Sequence, residues 1–267
     1  MHHPFTWHVL LPEGLQHWMG DHTFFALVAG LLLVLFALKA RSSLAHAQNP
    51  VVPAADLGTR NIAELLVQLV VSQSDAIIGK QGRPYVPFFG TFFLFILLSN
   101  LMGLLPGFVP PTGNLNTTLG LALVSFIGYN VIGGREHGLN YLKEFMGPMT
   151  SLPGKSVVAK LAFFPLLLIS VSFFFILEAF SHGFRPVSLS LRLFGNMMGD
   201  HQVIEAFISL TKLVVPVAFY AMGTLVAVIQ AFVFTLLSMI YVALAISHGH
   251  DEAHGQQEHE AHSSGHH

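Results

Sequence analysis

Five long apolar runs constrain this chain more than any other feature. Residues 23–40, 86–105, 114–132, 157–182 and 216–246 are each dominated by Leu, Phe, Val, Ile and Ala, with Pro, Gly and basic residues gathered between them. At about 1.5 Å per residue, roughly 20 apolar residues cross the ~30 Å hydrocarbon layer as a helix. Inside that layer no water satisfies a backbone N–H or C=O, so a spanning segment must pair its polar groups within itself. The chain is therefore read as all-α and polytopic, with five to six membrane-embedded helices. Composition agrees: 53% of the 267 residues are hydrophobic and only 10% are charged, where a soluble domain carries about 25% charge. The formal charge of −2 gives no ground for nucleic-acid binding, and the absence of cysteine excludes disulfides, zinc–thiolate sites and a cysteine nucleophile.

The runs fall into an order. Residues 1–22 form a polar, His-rich leader without a basic n-region, and Trp7 and Trp18 in it suit the headgroup level. Lys39 and Arg41 close the first span, which places that end in the cytoplasm. Residues 56–80 are amphipathic: Ile62, Leu65, Leu66, Leu69, Val70, Ile77 and Ile78 recur at helical spacing beside Arg60, Glu64, Gln68 and Asp75. This pattern fits a helix on the cytoplasmic surface, or equally one packed on a soluble partner. The spans 86–105 and 114–132 follow, joined by an outside turn with Pro110, Pro111 and Gly113. The connection after them, with Arg135, Lys143, Lys155 and Lys160, is basic and hence cytoplasmic. Gly183 and Pro186 are expected to end the 157–182 helix, and a second helix, 187–212, to begin there. The last helix is expected over 216–246, and 247–267 reads as a disordered His-rich tail. If 157–182 crosses fully, the tail ends outside. If it is re-entrant or strongly tilted, the tail ends inside.

Polar residues in the last two helices carry the chemistry. Ser188, Arg192 and Asn196 repeat every four positions and share one helical face, continued by Gly199. An arginine near the bilayer centre costs about 2.5–3.5 kcal/mol on insertion scales, so it marks a functional path more often than packing. His201 points almost opposite to Arg192, and Glu205 shares the face of His201. Arg192 cannot give up its proton, whereas Asp200, His201 and Glu205 titrate. A fixed cation beside separate proton carriers suits two half-pathways that must not connect. Gln230 on the last helix, and Glu178 before the Gly183–Pro186 break, have plain readings too: helix–helix glue for the first, an interfacial charge for the second. Asn100 and Asn116 read as turn or helix-packing residues.

The stretch from Leu189 to Met197, Leu-Ser-Leu-Arg-Leu-Phe-Gly-Asn-Met, resembles the signature of subunit a of bacterial F-type ATP synthases. Ile229-Gln230-Ala231-Phe232-Val233-Phe234-Thr235 resembles that family's final-helix motif, and Asn100–Pro106 and Asn116–Leu119 resemble its second and third spans. The likeness runs in order from about residue 23 to 247. It implies a proton-channel stator of the inner membrane, not an enzyme by itself, with no cofactor. It also implies five crossings plus tilted or re-entrant segments, the last two helices long and tilted as a hairpin, and a cytoplasmic tail. The implied partners are the c-ring, the peripheral-stalk b subunits, the other synthase subunits and the lipid bilayer. Carried over residue by residue, Arg192 separates an inlet from an outlet half-channel. His201 lines the path open to the periplasm, Gln230 lies near the arginine, and Glu178 stands by the cytoplasmic outlet.

Two positions depart from the family. Gly223 stands where members often carry the His or Glu that partners the residue at the His201 position, and Gly103 replaces an acid of the second span. The inlet path must then use other groups, Asp200 or Glu205, with Glu205 better placed on the face of His201. Two other classes compete. A secondary transporter or ion channel would bind a small anion at Arg192, but the chain has no convincing internal repeat. A metal-buffering role would use the tail histidines, whose irregular spacing favours a solvated tail instead. No Walker-type Gly-rich loop is present, so nucleotide chemistry lies elsewhere.

Overall fold

The computed structural model describes Trp7 and residues 20–45, 58–105, 107–138, 157–210 and 214–263, with the side chains of residues 137, 157–171, 205, 208–210, 214–216 and 247–263 left out. Six α-helices make up the described residues: α1 (Asp21–Ala45), α2 (Thr59–Ile77), α3 (Val86–Met102), α4 (Leu115–His137), α5 (Val157–Leu210) and α6 (Val214–Ser263). Short 3₁₀ turns, Lys80–Tyr85 and Pro111–Gly113, precede α3 and α4. Four segments are long and apolar enough to cross a bilayer among the described residues: Asp21–Ala45, Lys80–Met102, Leu115–Glu136 and Val217–Ile246. The all-α, polytopic reading of the sequence holds.

The chain divides into two compact units, one of Met1–Ala122 with Leu189–Ile240, the other of Leu123–Ser188 with Tyr241–His267. In the first, α1 packs on α2, α3 and the Pro111–Gly113 turn. Phe25, Ala29 and Met102 form a buried cluster there, flanked by Phe24, Val28, Phe95, Leu98, Phe108 and Val109. His22 reaches the Pro110 carbonyl at 3.1 Å through Nδ1, and the Trp7 N–H donates to the Gly107 carbonyl at 3.2 Å.

The surface helix is α2. Ile62, Leu65 and Leu69 are exposed along it, while Val70 and Ser74 face inward against the neighbouring helices. It ends where Gly79 takes φ +82°, a left-handed conformation that costs glycine nothing. A Cβ on Gly82 would sit 2.6 Å from Ser74 Oγ, so only a glycine lets the following turn close back on α2. Asp75 accepts two hydrogen bonds from Arg83, at 3.1 and 2.9 Å. The guanidinium holds the Asp75 carboxyl below the ordinary carboxylate range. The start of α4 is capped by Asn114, whose Oδ1 accepts from the Asn116 N–H at 2.8 Å.

Two expectations on helix boundaries are corrected. Gly183 and Pro186 do not end a helix: α5 runs unbroken from Val157 to Leu210, 54 residues. Pro186 removes one N–H donor, yet a proline is tolerated within a membrane helix when the surrounding protein takes up the freed groups, and Pro186 is buried. Likewise α6 continues to Ser263, past Ile246 where the tail was expected to begin. Extending an existing helix needs no new nucleus, and Glu, Gln and Ala in 252–261 propagate it well. At about 1.5 Å per residue α5 is about 80 Å long, far more than one upright crossing needs.

Candidate functional site

The site in the first unit is built on the facing stretches of α5 and α6. Leu189, Leu193, Met197 and Ile204 are buried and hold α5 in place at about helical spacing. Ala227, Ala231, Phe234 and Ser238 do the same on α6, with the Phe234 ring 5.5 Å from that of Phe92 on α3. Small residues at such positions let helices approach closely. Hydroxyls on this face are satisfied at home: Thr235 Oγ1 and Ser238 Oγ donate to the carbonyls four residues back, at 2.9 and 3.0 Å. A polar network missed by the sequence reading ties the unit together. Asn100, fully buried, donates to the Ala227 carbonyl at 3.3 Å and accepts from Thr112 Oγ1 at 2.7 Å. Thr118 and Ser190, also buried, meet at 3.0 Å. Asn100 thus has the packing duty expected of it.

Anchoring that face turns the opposite one outward. Arg192, Gly195, Asn196 and Gly199 are exposed, and so is Leu191. The Arg192 face therefore presents a fixed cation next to two glycines, Gly195 and Gly199. A Cβ on Gly195 or Gly199 would meet nothing within 4 Å. One helical turn from the cation, Asn196 Nδ2 donates to Gln230 Oε1 at 2.6 Å. Gln230 is 3% exposed, and its Nε2 has no partner among the described residues. The two amides predicted separately are thus one unit. Asn196 occupies the carbonyl end of Gln230 and leaves its amino end as a buried, unspent donor.

Further along α5, Asp200 and His201 are half-buried, His201 pointing away from Arg192. Oδ2 of Asp200 is buried without a hydrogen-bond partner among the described residues. Glu205 lies within α5, but its side chain is outside the described residues. The two unusual glycines are not vacancies. A Cβ on Gly223 would stand 3.0 Å from Leu104 Cδ2 and 3.5 Å from Ile204 Cδ1. One on Gly103 would stand 2.6 Å from Pro110 Cβ and 3.2 Å from Met197 Cε. Apolar side chains therefore already line the space that a side chain at either glycine would enter.

Glu178 lies in the second unit, where its Oε1 is 3.1 Å from His182 Nε2. Tyr129 Oη is 3.2 Å from His182 Nδ1, and the Arg185 guanidinium lies over the rings of Tyr129 and Tyr241, at 5.9 and 5.3 Å. His182 was not singled out from sequence, although its i+4 spacing from Glu178 was there to read. Among the described residues no group of His, Cys, Asp and Glu is placed to hold a metal ion. The tail histidines considered for metal binding lie outside the described side chains.

These features define a polytopic membrane protein whose exposed arginine stands one helical turn from an amide pair, Asn196 exposed and Gln230 buried, with titratable groups further along the same helix. The ATP synthase A chain family model matches residues 23–243. The chain is 42% identical to ATP synthase subunit a of Bdellovibrio bacteriovorus over 92% of its own length and 99% of that protein's. Against ATP synthase subunit a of Geobacter sulfurreducens the identity is 38%, covering 86% and 87%. Against ATP synthase subunit a 1 of Syntrophotalea carbinolica it is 41%, covering 89% and 91%. The chain belongs to the ATP synthase A chain family.

Proposed function

We propose that this chain is the proton-translocating stator of an F-type ATP synthase, a multi-pass inner-membrane subunit with no catalytic site of its own. The observation that carries the reading is the exposed Arg192 next to Gly195 and Gly199, backed by the Asn196–Gln230 pair. A guanidinium exposed at membrane depth needs a counter-charge to cover it. A ring of carboxylate-bearing helices sliding past that face supplies one charge after another. Facing Arg192, a ring carboxylate is held ionised and gives up its proton towards the cytoplasm. Past it, the site is reloaded from the outside and turns into lipid as a neutral group. Arg192 bars protons from the direct route. Each charge gains about 2.3 kcal/mol per 100 mV, so several must pass for each ATP made.

For the inlet path, support has moved to Asp200 beside His201. Leu104 and Pro110 close the sites at Gly223 and Gly103, and Asp200 has a buried, unpartnered carboxylate oxygen. Gln230, with Nε2 unspent, keeps a buried donor in reserve beside Asn196.

Because the chain has no native cysteine, disulfide trapping tests the ring face directly. A cysteine at exposed Leu191, paired with cysteines on the ring helices, is expected to give a cross-linked product in the assembled complex. A cysteine at buried Leu189 is expected to give none. Equal cross-linking from both, or from neither, contradicts the assignment of this face.

A further inference from the structure

The cluster around His182 has no part in the Arg192 site, and its chemistry is specific. Its members come from three helices of the second unit: Tyr129 from α4, Glu178, His182 and Arg185 from α5, and Tyr241 from α6. His182 is 5% exposed, yet both ring nitrogens are engaged, one by a phenol and the other by a carboxylate. Glu178 is 37% exposed at its side chain, so the cluster opens to its surroundings through the acid. Tyr129 lies six positions before Arg135, the basic residue that marks the cytoplasmic end of α4. The cluster therefore belongs to the cytoplasmic half of the bilayer.

We infer that His182, held between Tyr129 and Glu178, is a proton-holding station on the cytoplasmic path. This deepens the stator reading and rests on it, since that reading alone gives Glu178 an outlet role. The geometry allows both charge states of the ring without breaking a contact. In the neutral ring Nε2–H donates to Glu178, while Nδ1 accepts the Tyr129 O–H. In the charged ring Nδ1–H donates instead, and the tyrosine oxygen turns acceptor. An arriving proton bonds to the Tyr129 oxygen as that oxygen's own proton passes to Nδ1. The N–H bond at Nδ1 forms as the O–H bond breaks, and the hydroxyl is restored by the incoming proton. Release runs through the acid: the Nε2 proton passes to the Glu178 carboxylate, the N–H bond breaking as the O–H bond forms, and the partly exposed acid then gives it up, leaving the other neutral tautomer with Nδ1–H on the tyrosine oxygen.

The groups around the ring set how long the proton stays. Burial of the ring and Arg185, three residues on, oppose the charged form, and Glu178 favours it. Arg185 is kept near by the faces of Tyr129 and Tyr241, a cation–π arrangement that a lysine would fill less well. An acid and a cation with opposite effects on the ring suit a station that must load and unload. A purely structural histidine would need neither the acid nor the cation.

The test uses the intact synthase reconstituted in vesicles, with passive proton conduction and ATP synthesis followed against cytoplasmic-side pH. His182→Gln, which keeps a hydrogen-bonding amide, is expected to lower conduction about tenfold or more and to flatten its dependence between about pH 5 and 8. Free imidazole is expected to restore part of the flux in His182→Ala. Tyr129→Phe keeps the ring under Arg185 but is expected to slow conduction severalfold. Subunit content is checked in each variant, and imidazole rescue separates a lost proton carrier from a lost fold. Wild-type conduction and pH profile in His182→Gln, or failure of imidazole to rescue His182→Ala, overturns the inference. Arg192→Ala runs alongside: if it keeps coupling, the stator reading has failed, whereas its loss with His182→Gln unaffected sinks the station alone.

Discussion

Asn196 and Gln230 meet at 2.6 Å across the facing surfaces of two helices, and the contact leaves one end of the glutamine amide unspent. Asn196 stands four residues after Arg192, so the pair fixes a neutral amide one helical turn from the cation without neutralising it. A neutral side-chain hydrogen bond is worth about 0.5–1.5 kcal/mol net, enough to orient an amide and too little to hold two helices together. Its value is therefore in positioning. Asn196→Leu is expected to slow proton-coupled synthesis severalfold while the complex still assembles. Combined with Gln230→Leu, the loss is expected to be less than additive, as a double-mutant cycle on synthesis rates reveals. Full additivity would mean that the two amides act apart.

At Gly223 the packing makes a different demand. Gly223→His places a side chain where Leu104 Cδ2 already stands, and overpacking of this kind costs about 1–3 kcal/mol. Reduced yield and a lower melting temperature of the assembled complex are expected, with recovery when Leu104→Ala opens the space. Gly103→Asp is expected to be harder to rescue, because Pro110 is rigid and only 2.6 Å away. If Gly223→His assembled normally with Leu104 in place, the closed-site account of this region would be wrong.

The inlet assignment separates two acids. Asp200→Asn is expected to reduce ATP-driven proton pumping about tenfold or more, the scale of losing a positioned proton carrier. Glu205→Gln is expected to have the smaller effect. A larger loss from Glu205→Gln, measured in the same vesicles, returns the role to the residue that the helical register alone favours.

A fourth prediction concerns the surface helix. Arg83 holds the Asp75 carboxyl below the ordinary range. A depressed acid stabilises the folded state above its unfolded pKa, and that contribution is lost as pH falls through the folded value. Arg83→Gln is expected to raise the Asp75 titration midpoint towards that of a free carboxylate, read by carbon-13 NMR of labelled aspartate in nanodiscs. An unchanged midpoint would show that the ion pair does not persist in lipid.

Much of this molecule was legible because lipid allows few solutions. Four of the five apolar runs coincide with helices long and apolar enough to cross a bilayer, and Arg192 and Asn196, in one four-residue register, are both exposed. Local signals misled where context overrides them. Pro186 reads as a helix boundary, but within α5 its missing donor is accommodated, and the helix continues. The pairing of Asn196 with Gln230, 34 positions apart, is a tertiary fact that no register on one helix contains. Glu178 was visible as an ionisable group near the end of an apolar run. That His182 and Tyr129 complete it depends on how α4 meets α5, which periodicity does not encode. Gly223 and Gly103 read as missing groups until Leu104 and Pro110 were seen to fill their places.

The central claim is that Arg192 separates two half-pathways, and Arg192→Ala in the reconstituted complex tests it most directly. Synthesis driven by an imposed proton gradient is measured together with passive proton leak. Loss of synthesis with an assembled complex, accompanied by leak through the membrane sector, is the expected result. Normal synthesis with no leak would contradict the account.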